Sequence, residues 1–258
     1  MKIVVCIKQV PNTDTVKIDP KTNNLVRSNV EGIINLFDRN AIEAALQLRQ
    51  QAGGEVILLS MGPNSYISSL RDGLAMGADS AILLSSRKFG GADTLATAYV
   101  LSEAIKKIGN VDLILFGRQS VDADTGQVGP IVAEELQVPQ VTFAESIELQ
   151  DKNQLIGHRL LDNLVQEVKV HLPAVVTVRD EMNQPRYETP LNIQKSFEKE
   201  IIIWSENELA VDPAQIGQTG SPTVVKRIYS PEKAGRQTTT LPTDPHAAVT
   251  QLLEELNN

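Results

Sequence analysis

The chain has 258 residues, of which 41% are hydrophobic, and its formal net charge is −8 at pH 7. This length is sufficient for one large globular domain with appendages, and the acidic balance argues against nucleic acid or an anionic membrane surface as a partner. No apolar run approaches the roughly 20 residues of a membrane span, and the opening residues predict a strand rather than a signal peptide. We therefore expect a cytoplasmic protein without an integral membrane segment.

The residue types that carry metal and nucleophile chemistry are sparse. The single cysteine, Cys6, cannot form an internal disulfide, and its setting favours a buried strand residue over a reactive thiol. The three histidines lie in different segments without metal-ligand spacing. A P-loop, a Gly-x-Gly-x-x-Gly run and a nucleophile elbow are all absent from the sequence. The sequence therefore predicts no metal site and no covalent catalysis.

Apolar runs alternate with amphipathic stretches through the first part of the chain, which predicts a doubly wound sheet. The expected strands cover residues 3–10, 55–60, 80–84 and 111–116, and the expected helices cover 38–50, 65–76 and 92–108. Asp38 and the two residues after it are expected to cap the first of these helices. A turn at residues 19–24 predicts a peripheral hairpin between 16–18 and 25–27.

Lys8 lies at the carboxyl end of the first expected strand. Ligands of open α/β sheets bind at those ends, so we expect the loop that contains Lys8 to line a nucleotide crevice. A solvated lysine is the alternative interpretation.

The stretch at residues 90–101 predicts a helix that begins near Asp93, with Thr94 and Thr97 on one face of its start. Two hydroxyls and free first-turn amides suit a polar heterocycle or a pyrophosphate. The alternative, which the local sequence alone favours, is that both threonines bond only to their own helix backbone.

The Gly-rich stretch at residues 117–130 connects an expected strand to an expected helix at 131–136, which places free backbone N–H groups at the open end of a sheet. Asp124 and Gln127 have capping-box spacing, and Pro130 requires the helix to begin close by. The amides of residues 125–129 are therefore the expected anion cradle. Because Asp122 and Asp124 would repel a phosphate, they are expected to cap, to shape the loop or to reach ribose hydroxyls. An ordinary strand-to-helix turn is the alternative.

The second half of the chain predicts an antiparallel meander over residues 141–149, 154–161 and 164–172, followed by a strand at 173–179 that returns to the sheet. A polar segment at 183–195 displays Tyr187, Leu191 and Ile193, which suggests either docking of a partner or packing on the protein's own sheet.

The last part of the chain loses its periodicity and recovers a helical pattern only at residues 244–256. We expect two parts: a nucleotide-binding α/β domain at 1–196, and a C-terminal arm at 197–258 whose terminal helix packs on a partner or back on the domain.

The run Gly-Arg-Gln-Ser-Val-Asp-Ala-Asp-Thr-Gly-Gln-Val-Gly-Pro at 117–130, with Ala-Glu-Glu-Leu at 133–136, resembles the nucleotide-binding signature of the electron transfer flavoprotein β subunit. Residues 1–11, 38–46, 92–101 and 186–195 resemble this family in order and spacing. The resemblance implies a mostly parallel, Rossmann-like α/β fold of the adenine-nucleotide-binding, HUP-like kind, and a heterodimer with an α subunit. The residues expected to contact the nucleotide are Cys6, Lys8, Asp93, Thr94, Thr97, Gly117, Gln119, Asp122, Asp124, Thr125, Gly126, Gln127, Val128 and Gly129.

The Lys-Gln-Val-Pro run at 8–11 and the Ala-Asp-Thr-Leu-Ala-Thr run at 92–97 resemble the electron-bifurcating branch of the family. That branch implies FAD in the β subunit, NADH as electron donor, and two acceptors: a high-potential acyl-CoA dehydrogenase or quinone-linked acceptor, and ferredoxin or flavodoxin. The alternative within the family is an electron carrier whose β subunit holds structural AMP while FAD lies in the α subunit. A stand-alone adenine-nucleotide-binding regulator is the alternative from another class.

The segment at 186–195 resembles the recognition loop by which the family docks onto dehydrogenases. The resemblance implies docking roles for Tyr187, Leu191, Ile193 and Lys195. The family's usual order is Leu-Pro-Asn-Ile, whereas this chain has Pro190 before Leu191.

Overall fold

The computed structural model describes residues 1–12, 31–162, 164–224, 238 and 240–256. The expected hairpin at 16–18 and 25–27 lies outside these residues. The strands are β1 Lys2–Cys6, β2 Gln9–Pro11, β3 Gly32–Ile34, β4 Glu55–Met61, β5 Ser80–Leu84, β6 Leu113–Gly117, β7 Gln140–Leu149, β8 Gln154–Leu161, β9 Leu164–His171, β10 Ala174–Val178 and β11 Ile201–Trp204. The α-helices are α1 Leu36–Ala52, α2 Ile67–Met76, α3 Thr94–Ile108, α4 Val128–Leu136, α5 Pro190–Glu198 and α6 Pro245–Leu256.

The main sheet has nine strands in the order β11-β5-β4-β1-β6-β10-β7-β8-β9. Neighbouring strands run parallel from β11 as far as β7, and the pairs β7-β8 and β8-β9 are antiparallel. The prediction of a doubly wound, mostly parallel α/β sheet with an antiparallel meander is therefore confirmed.

Helices cover both faces of the parallel part of this sheet, so its central strands are buried on both sides and consist of continuous apolar runs. Along β1, Ile3 and Val5 pack in the cluster that contains the apolar residues of α1 and α2. Val4 and Cys6 pack in the opposite cluster, which contains those of α3 and α4. Within the described residues, none of the helices has the length and apolar character needed to cross a membrane.

The first expected strand, residues 3–10, is divided in two. Strand β1 ends at Cys6, and Gln9–Pro11 pairs instead with β3 in a separate two-stranded sheet. The reason lies at Lys8, whose backbone N–H donates to Asp38 Oδ2 at 2.7 Å and whose carbonyl accepts from the N–H of Asn35 at 2.9 Å. Both backbone groups of Lys8 are thus occupied by the start of α1, and the ladder cannot continue through it.

The expectation that Asp38 caps the first long helix is wrong. Helix α1 begins at Leu36, so Asp38 lies inside its first turn and is almost completely buried. Its carboxylate accepts from other elements instead, as described below.

The first compact unit extends to Val224, beyond the boundary expected at residue 196. Strand β11 adds to the edge of the sheet beside β5, and Leu209 and Ile216 are buried in the core. Apolar contacts therefore hold this part of the expected arm. The remaining unit, residues 225–258, contains the predicted terminal helix as α6, where Asp244 Oδ2 accepts from the N–H of Ala247 at 2.9 Å.

Candidate nucleotide site and docking surface

The candidate site lies at the carboxyl ends of β1 and β6, which are neighbours in the sheet. From β1 the chain winds outward through β4 and β5, and it then crosses to β6 on the other side of β1. Such a reversal of strand order opens a crevice at the carboxyl edge, where open α/β sheets bind their ligands. The loop after β1 and the Gly-rich loop after β6 are therefore adjacent, as expected from the sequence.

Two buried polar residues at the start of α1 hold the Gly-rich loop in place. Asn35 donates through Nδ2 to the carbonyl of Gln119 at 2.8 Å and accepts at Oδ1 from the N–H of Val121 at 3.1 Å. Asp38 accepts from the N–H of Gly117 at 3.1 Å in addition to that of Lys8. Sequence reasoning missed both roles, because these partners are 79 to 86 positions apart along the chain.

Asp38 is a buried acid between the two loops of the crevice. Burial raises its pKa to about 7, although hydrogen bonds from Lys8, Asn35 and Gly117 and the charge of Lys8 act in the opposite direction. Gly117 is required here for a steric reason, since a Cβ at this position would collide with Asp38 Oδ1 and with the backbone of Phe37.

Lys8 offsets the negative charge of Asp122, an acidic residue of the Gly-rich loop. Its Nζ lies 2.7 and 2.9 Å from the carboxylate oxygens of Asp122 and 3.3 Å from Ser120 Oγ. Burial acts to raise the pKa of Asp122, but the hydrogen bonds from Lys8 and Ser120 and the charge of Lys8 hold it below its usual value. The repulsion of phosphate that Asp122 would cause is therefore offset within the site.

Asp124 shapes the loop rather than capping α4. It adopts a left-handed φ of 56°, its N–H donates to the carbonyl of Ser120 at 2.8 Å, and its carboxylate accepts from Gln119 Nε2. Gln127 occupies the N-cap position of α4 without a side-chain capping bond. The capping-box prediction is therefore wrong, and the first amides of α4 stay available.

The backbone N–H groups of residues 125–129 have no acceptor among the described residues. Gly126, at φ +63°, turns the chain into α4, which begins at Val128. Thr125 and Gln127 are exposed, whereas Gly129 is buried against β10, where a Cβ would lie 2.6 Å from Thr177 Cγ2. This arrangement combines unbonded amides with the positive end of a helix dipole, a combination whose chemistry suits an anion such as phosphate.

The structure brings together the two stretches that the sequence singled out. Thr94 Oγ1, at the start of α3, donates to Gln127 Oε1 at 2.9 Å, next to the amides of α4. Thr97 lies half-buried one turn further along α3. The hydroxyl of Thr94 thus bonds across the site and not to its own backbone.

Asp93 and Cys6 differ in their surroundings: the Asp93 carboxylate is fully hydrogen-bonded, whereas the Cys6 thiol is buried among apolar side chains. Asp93 caps α3 by accepting from the N–H groups of Leu95 and Ala96, and its second oxygen accepts from Thr223. The side chain of Cys6 is buried among apolar residues, and burial, followed by the charge of Asp38, raises the pKa of its thiol.

Comparison with known proteins places this chain in a family. The electron transfer flavoprotein domain matches residues 22–209. The chain belongs to the electron transfer flavoprotein β-subunit family. It is 45% identical, over 91% of its length and 90% of the relative's, to the caffeyl-CoA reductase–Etf complex subunit CarD of Acetobacterium woodii.

Two further relatives of similar coverage carry informative names. The electron transfer flavoprotein subunit beta of Clostridium acetobutylicum is 44% identical over 92% of this chain and 90% of its own length. The acryloyl-CoA reductase electron transfer subunit gamma of Anaerotignum propionicum is 39% identical over 91% of this chain and 90% of its own length.

The segment at 186–195, which resembles the recognition loop of electron transfer flavoproteins, is a loop only up to Thr189 and continues as helix α5. Thr189 is the N-cap of α5, because its Oγ1 accepts from the N–H of Asn192 at 3.2 Å. Pro190 follows at the first helical position, where its missing N–H costs no hydrogen bond. Proline is compatible with the first turn of a helix, so Pro190 does not mark the segment as a loop.

The apolar residues expected to dock are exposed on this segment. Tyr187 is 88% exposed, Leu191 58% and Ile193 44%, and Lys195 also lies on the exposed surface of α5. Phe197, which the sequence analysis did not single out, is 71% exposed, with the guanidinium of Arg71 at 5.8 Å from its ring centroid. An exposed aromatic residue beside an arginine is the composition that protein interfaces favour.

Proposed function

We propose that this chain is the β subunit of a heterodimeric electron transfer flavoprotein and binds FAD in the crevice between β1 and β6. The observation that carries the proposal is the run of unbonded amides at residues 125–129, at the start of α4 and the topological switch point. The donor set fits a dinucleotide, because it offers backbone N–H groups for phosphates and side-chain oxygens nearby for hydroxyls.

The protein's own residues bind and orient, and none acts as an acid or a nucleophile. The amides of residues 125–129 hold the phosphates, Lys8 keeps Asp122 from repelling them, and Asn35 fixes the loop between Gln119 and Val121. Thr94, Gln119 and Asp124 supply polar groups around the loop. Bound FAD supplies the hydride and single-electron chemistry.

We further propose the bifurcating type, in which NADH is the donor, an acyl-CoA dehydrogenase-type enzyme is the high-potential acceptor, and ferredoxin or flavodoxin is the low-potential acceptor. Support comes from the sequence at residues 8–11 and 92–97 and from relatives that are named as parts of caffeyl-CoA and acryloyl-CoA reductases. The surface formed by Tyr187, Leu191, Ile193, Lys195 and Phe197 is the proposed docking site for the dehydrogenase. We propose a cytoplasmic location, which is compatible with exchange with NADH and acyl-CoA enzymes.

The second candidate is an electron carrier in which this chain holds AMP structurally. The same amides fit the single phosphate of AMP, so the loop geometry supports both nucleotides. A stand-alone nucleotide-binding regulator is disfavoured, because Val249, Leu252, Leu253 and Leu256 form an exposed apolar stripe on α6 that such a protein does not need.

The test is to purify the chain with its α partner, release the bound nucleotides with acid, and count them by chromatography. Two FAD and no AMP per heterodimer are expected. One FAD and one AMP would instead establish the carrier type. A monodisperse chain that binds AMP tightly and associates with no α subunit would refute the subunit assignment.

A further inference from the structure

The segment at residues 180–198, which carries the proposed docking surface, is attached to the rest of the protein by a set of polar bonds, in addition to the packing of Met182 against the core and of α5 on α2. Within α5 only Ser196 is buried. Just before the start of α5, Arg39 pairs with Glu188 at 2.9 Å. At the end of α5, Arg71 donates to the carbonyls of Ser196 and Lys199. Hydrogen bonds have preferred directions, whereas apolar packing does not. The geometry of these hydrogen bonds therefore sets the position of the segment.

The middle of α1 provides the buried part of this attachment. Asn40, which is 4% exposed, donates through Nδ2 to the carbonyls of Asp180 and Asn183 at 3.0 and 2.9 Å. Asn183 returns a bond from its own Nδ2 to the carbonyl of Asn40 at 3.0 Å.

One turn further along α1, Glu43 receives Arg186 in a two-pronged ion pair. Nε and Nη2 of Arg186 lie 2.7 and 2.9 Å from the two carboxylate oxygens, and the N–H of Arg186 donates to Oε2 at 3.2 Å. The Glu43 side chain is 5% exposed. Burial acts to raise the pKa of Glu43, but the bonds from Arg186 and Gln47 hold it below its usual value, so the pair is ionised.

An ion pair whose carboxylate is buried is a poor source of stability, since the desolvation of the carboxylate offsets much of the attraction between the charges. It is a good source of defined geometry, because the planar guanidinium donates two parallel N–H bonds that hold the carboxylate in its plane. Helix α1 also holds the Gly-rich loop through Asn35 and Asp38. The same helix therefore contacts both the nucleotide crevice and the segment that precedes the docking surface.

We propose that Glu43 and Arg186 are positioning residues, which fix the docking surface relative to the nucleotide crevice by attaching it to α1. This inference rests on the proposed function, because it assumes that Tyr187 and α5 meet the dehydrogenase. The consequence is that the pair affects electron delivery to the partner without contacting either the partner or the nucleotide.

The test uses the αβ heterodimer carrying Glu43→Leu together with Arg186→Met, which removes both charges and so leaves no buried charge unpaired. The control is Glu103→Leu with Lys106→Met, which removes an ion pair of 2.8 Å on α3 and makes the same change in charge. Arg186→Lys keeps the charge but loses the two-pronged contact.

We measure melting temperature, nucleotide content, NADH oxidation with a dye acceptor, hydrogen exchange of residues 187–198, and the KM for the acyl-CoA dehydrogenase that the wild-type heterodimer reduces fastest. In the Glu43/Arg186 double variant, the KM is expected to rise about tenfold and exchange to accelerate, while the other readouts stay at control values. Arg186→Lys should give an intermediate KM.

An unchanged KM with unchanged exchange would overturn the proposal, and so would a KM effect equal to that of the control. A melting temperature that falls together with nucleotide content, with no separate KM effect, would show a merely structural pair and also overturn it. If the wild-type heterodimer contains no nucleotide or reduces no dehydrogenase, the proposed function fails. Hydrogen exchange then still decides whether the pair positions the segment.

Discussion

At the scale of single residues, the site depends on polar side chains that are buried beneath it. Asn35 and Asp38 are 1% and 5% exposed, and both bond to backbone groups of the loops that form the crevice. Buried polar groups of this kind specify one loop arrangement, because each alternative leaves a donor or acceptor without a partner.

Asp38 makes the stability of the protein depend on pH. With a folded pKa of about 7 against an ordinary value of 3.8, the folded chain keeps a proton that the unfolded chain releases as the pH rises through this range. Stability is therefore lost between about pH 4 and pH 7, by up to roughly 4 kcal/mol if the full difference is expressed.

Asp38→Asn should remove this loss, so that its stability relative to wild type improves as the pH rises from 4 to 7. Parallel denaturation curves of the two proteins measure the difference, in which all other titrating groups cancel. At every pH, Asp38→Asn should also lower the free energy of unfolding by about 1–3 kcal/mol. The reason is that the side-chain N–H of the new amide would face one of the backbone N–H groups that donate to Asp38. A difference that does not change with pH would contradict the raised pKa.

Two glycines of the same loop are expected to respond differently to an added methyl group. At Gly126 a Cβ meets only the carbonyl of Arg118 at 3.5 Å, but φ is +63°, so Gly126→Ala strains the cradle by about 1–2 kcal/mol. We expect about tenfold weaker nucleotide retention together with a fall of only a few degrees in the melting temperature.

Gly129→Ala serves as the matched comparison. Its Cβ would lie 2.6 Å from Thr177 Cγ2, so the change forces α4 away from β10 and should lower the melting temperature. Calorimetry and nucleotide release, measured on both variants, separate the two effects. Nucleotide retention that Gly126→Ala leaves at the wild-type level would mean that Gly126 has no special role in the cradle.

At the scale of elements, the strands and helices of the doubly wound sheet could be predicted because their periodicity is local. β5 and the end of α3 lie at the predicted residues, and the meander of β7, β8 and β9 was recognised from its turns. The cradle amides were also predictable, since a strand, glycines and a helix start follow one another in sequence.

What local sequence cannot show is which distant group a polar residue will meet. Asp38 has the appearance of a helix cap, and its bond to Gly117 spans 79 positions, so only the folded sheet reveals it. Lys8 could not be placed opposite Asp122 for the same reason, at a separation of 114. The end of β1 at Cys6 follows from the bonds of the Lys8 backbone to Asp38 and Asn35 and not from burial, since Ile7 and Val10 beyond it are also buried.

Helix α5 leads to a prediction about the docking surface. Phe197 and Leu191 are both largely exposed, aromatic residues are enriched at protein interfaces, and an exposed apolar cluster marks a contact surface. Phe197→Ala and Leu191→Ala should each raise the KM for the dehydrogenase about tenfold or more. The rate at which the heterodimer oxidises NADH with a dye as acceptor should not change.

Gln194→Ala, an exposed polar position on the same helix, is the control and should have little effect. Steady-state transfer from NADH to the dehydrogenase measures all three variants. If Phe197→Ala behaves like the control while Leu191→Ala does not, Phe197 is outside the contact.

At the scale of the whole molecule, the two compact units differ in how they are stabilised. The unit that ends at Val224 has a core on both faces of its sheet. Helix α6, in the second unit, buries none of its side chains, although Val249, Leu252, Leu253 and Leu256 recur at helical spacing. An isolated helix of this length is marginal in water, so an apolar stripe of this kind indicates a partner surface.

We propose that this stripe packs on the α subunit, and we expect Leu252→Gln combined with Leu253→Gln to weaken the heterodimer at least tenfold. Glu255→Gln, which changes a polar residue of the same helix, should leave assembly intact. Size-exclusion chromatography with the α subunit measures association, and circular dichroism confirms that the isolated chain keeps its fold. Because α6 lies outside the unit that contains the cradle, the variant chain should retain its folded sheet. Normal assembly of this variant would assign subunit recognition to the first unit instead.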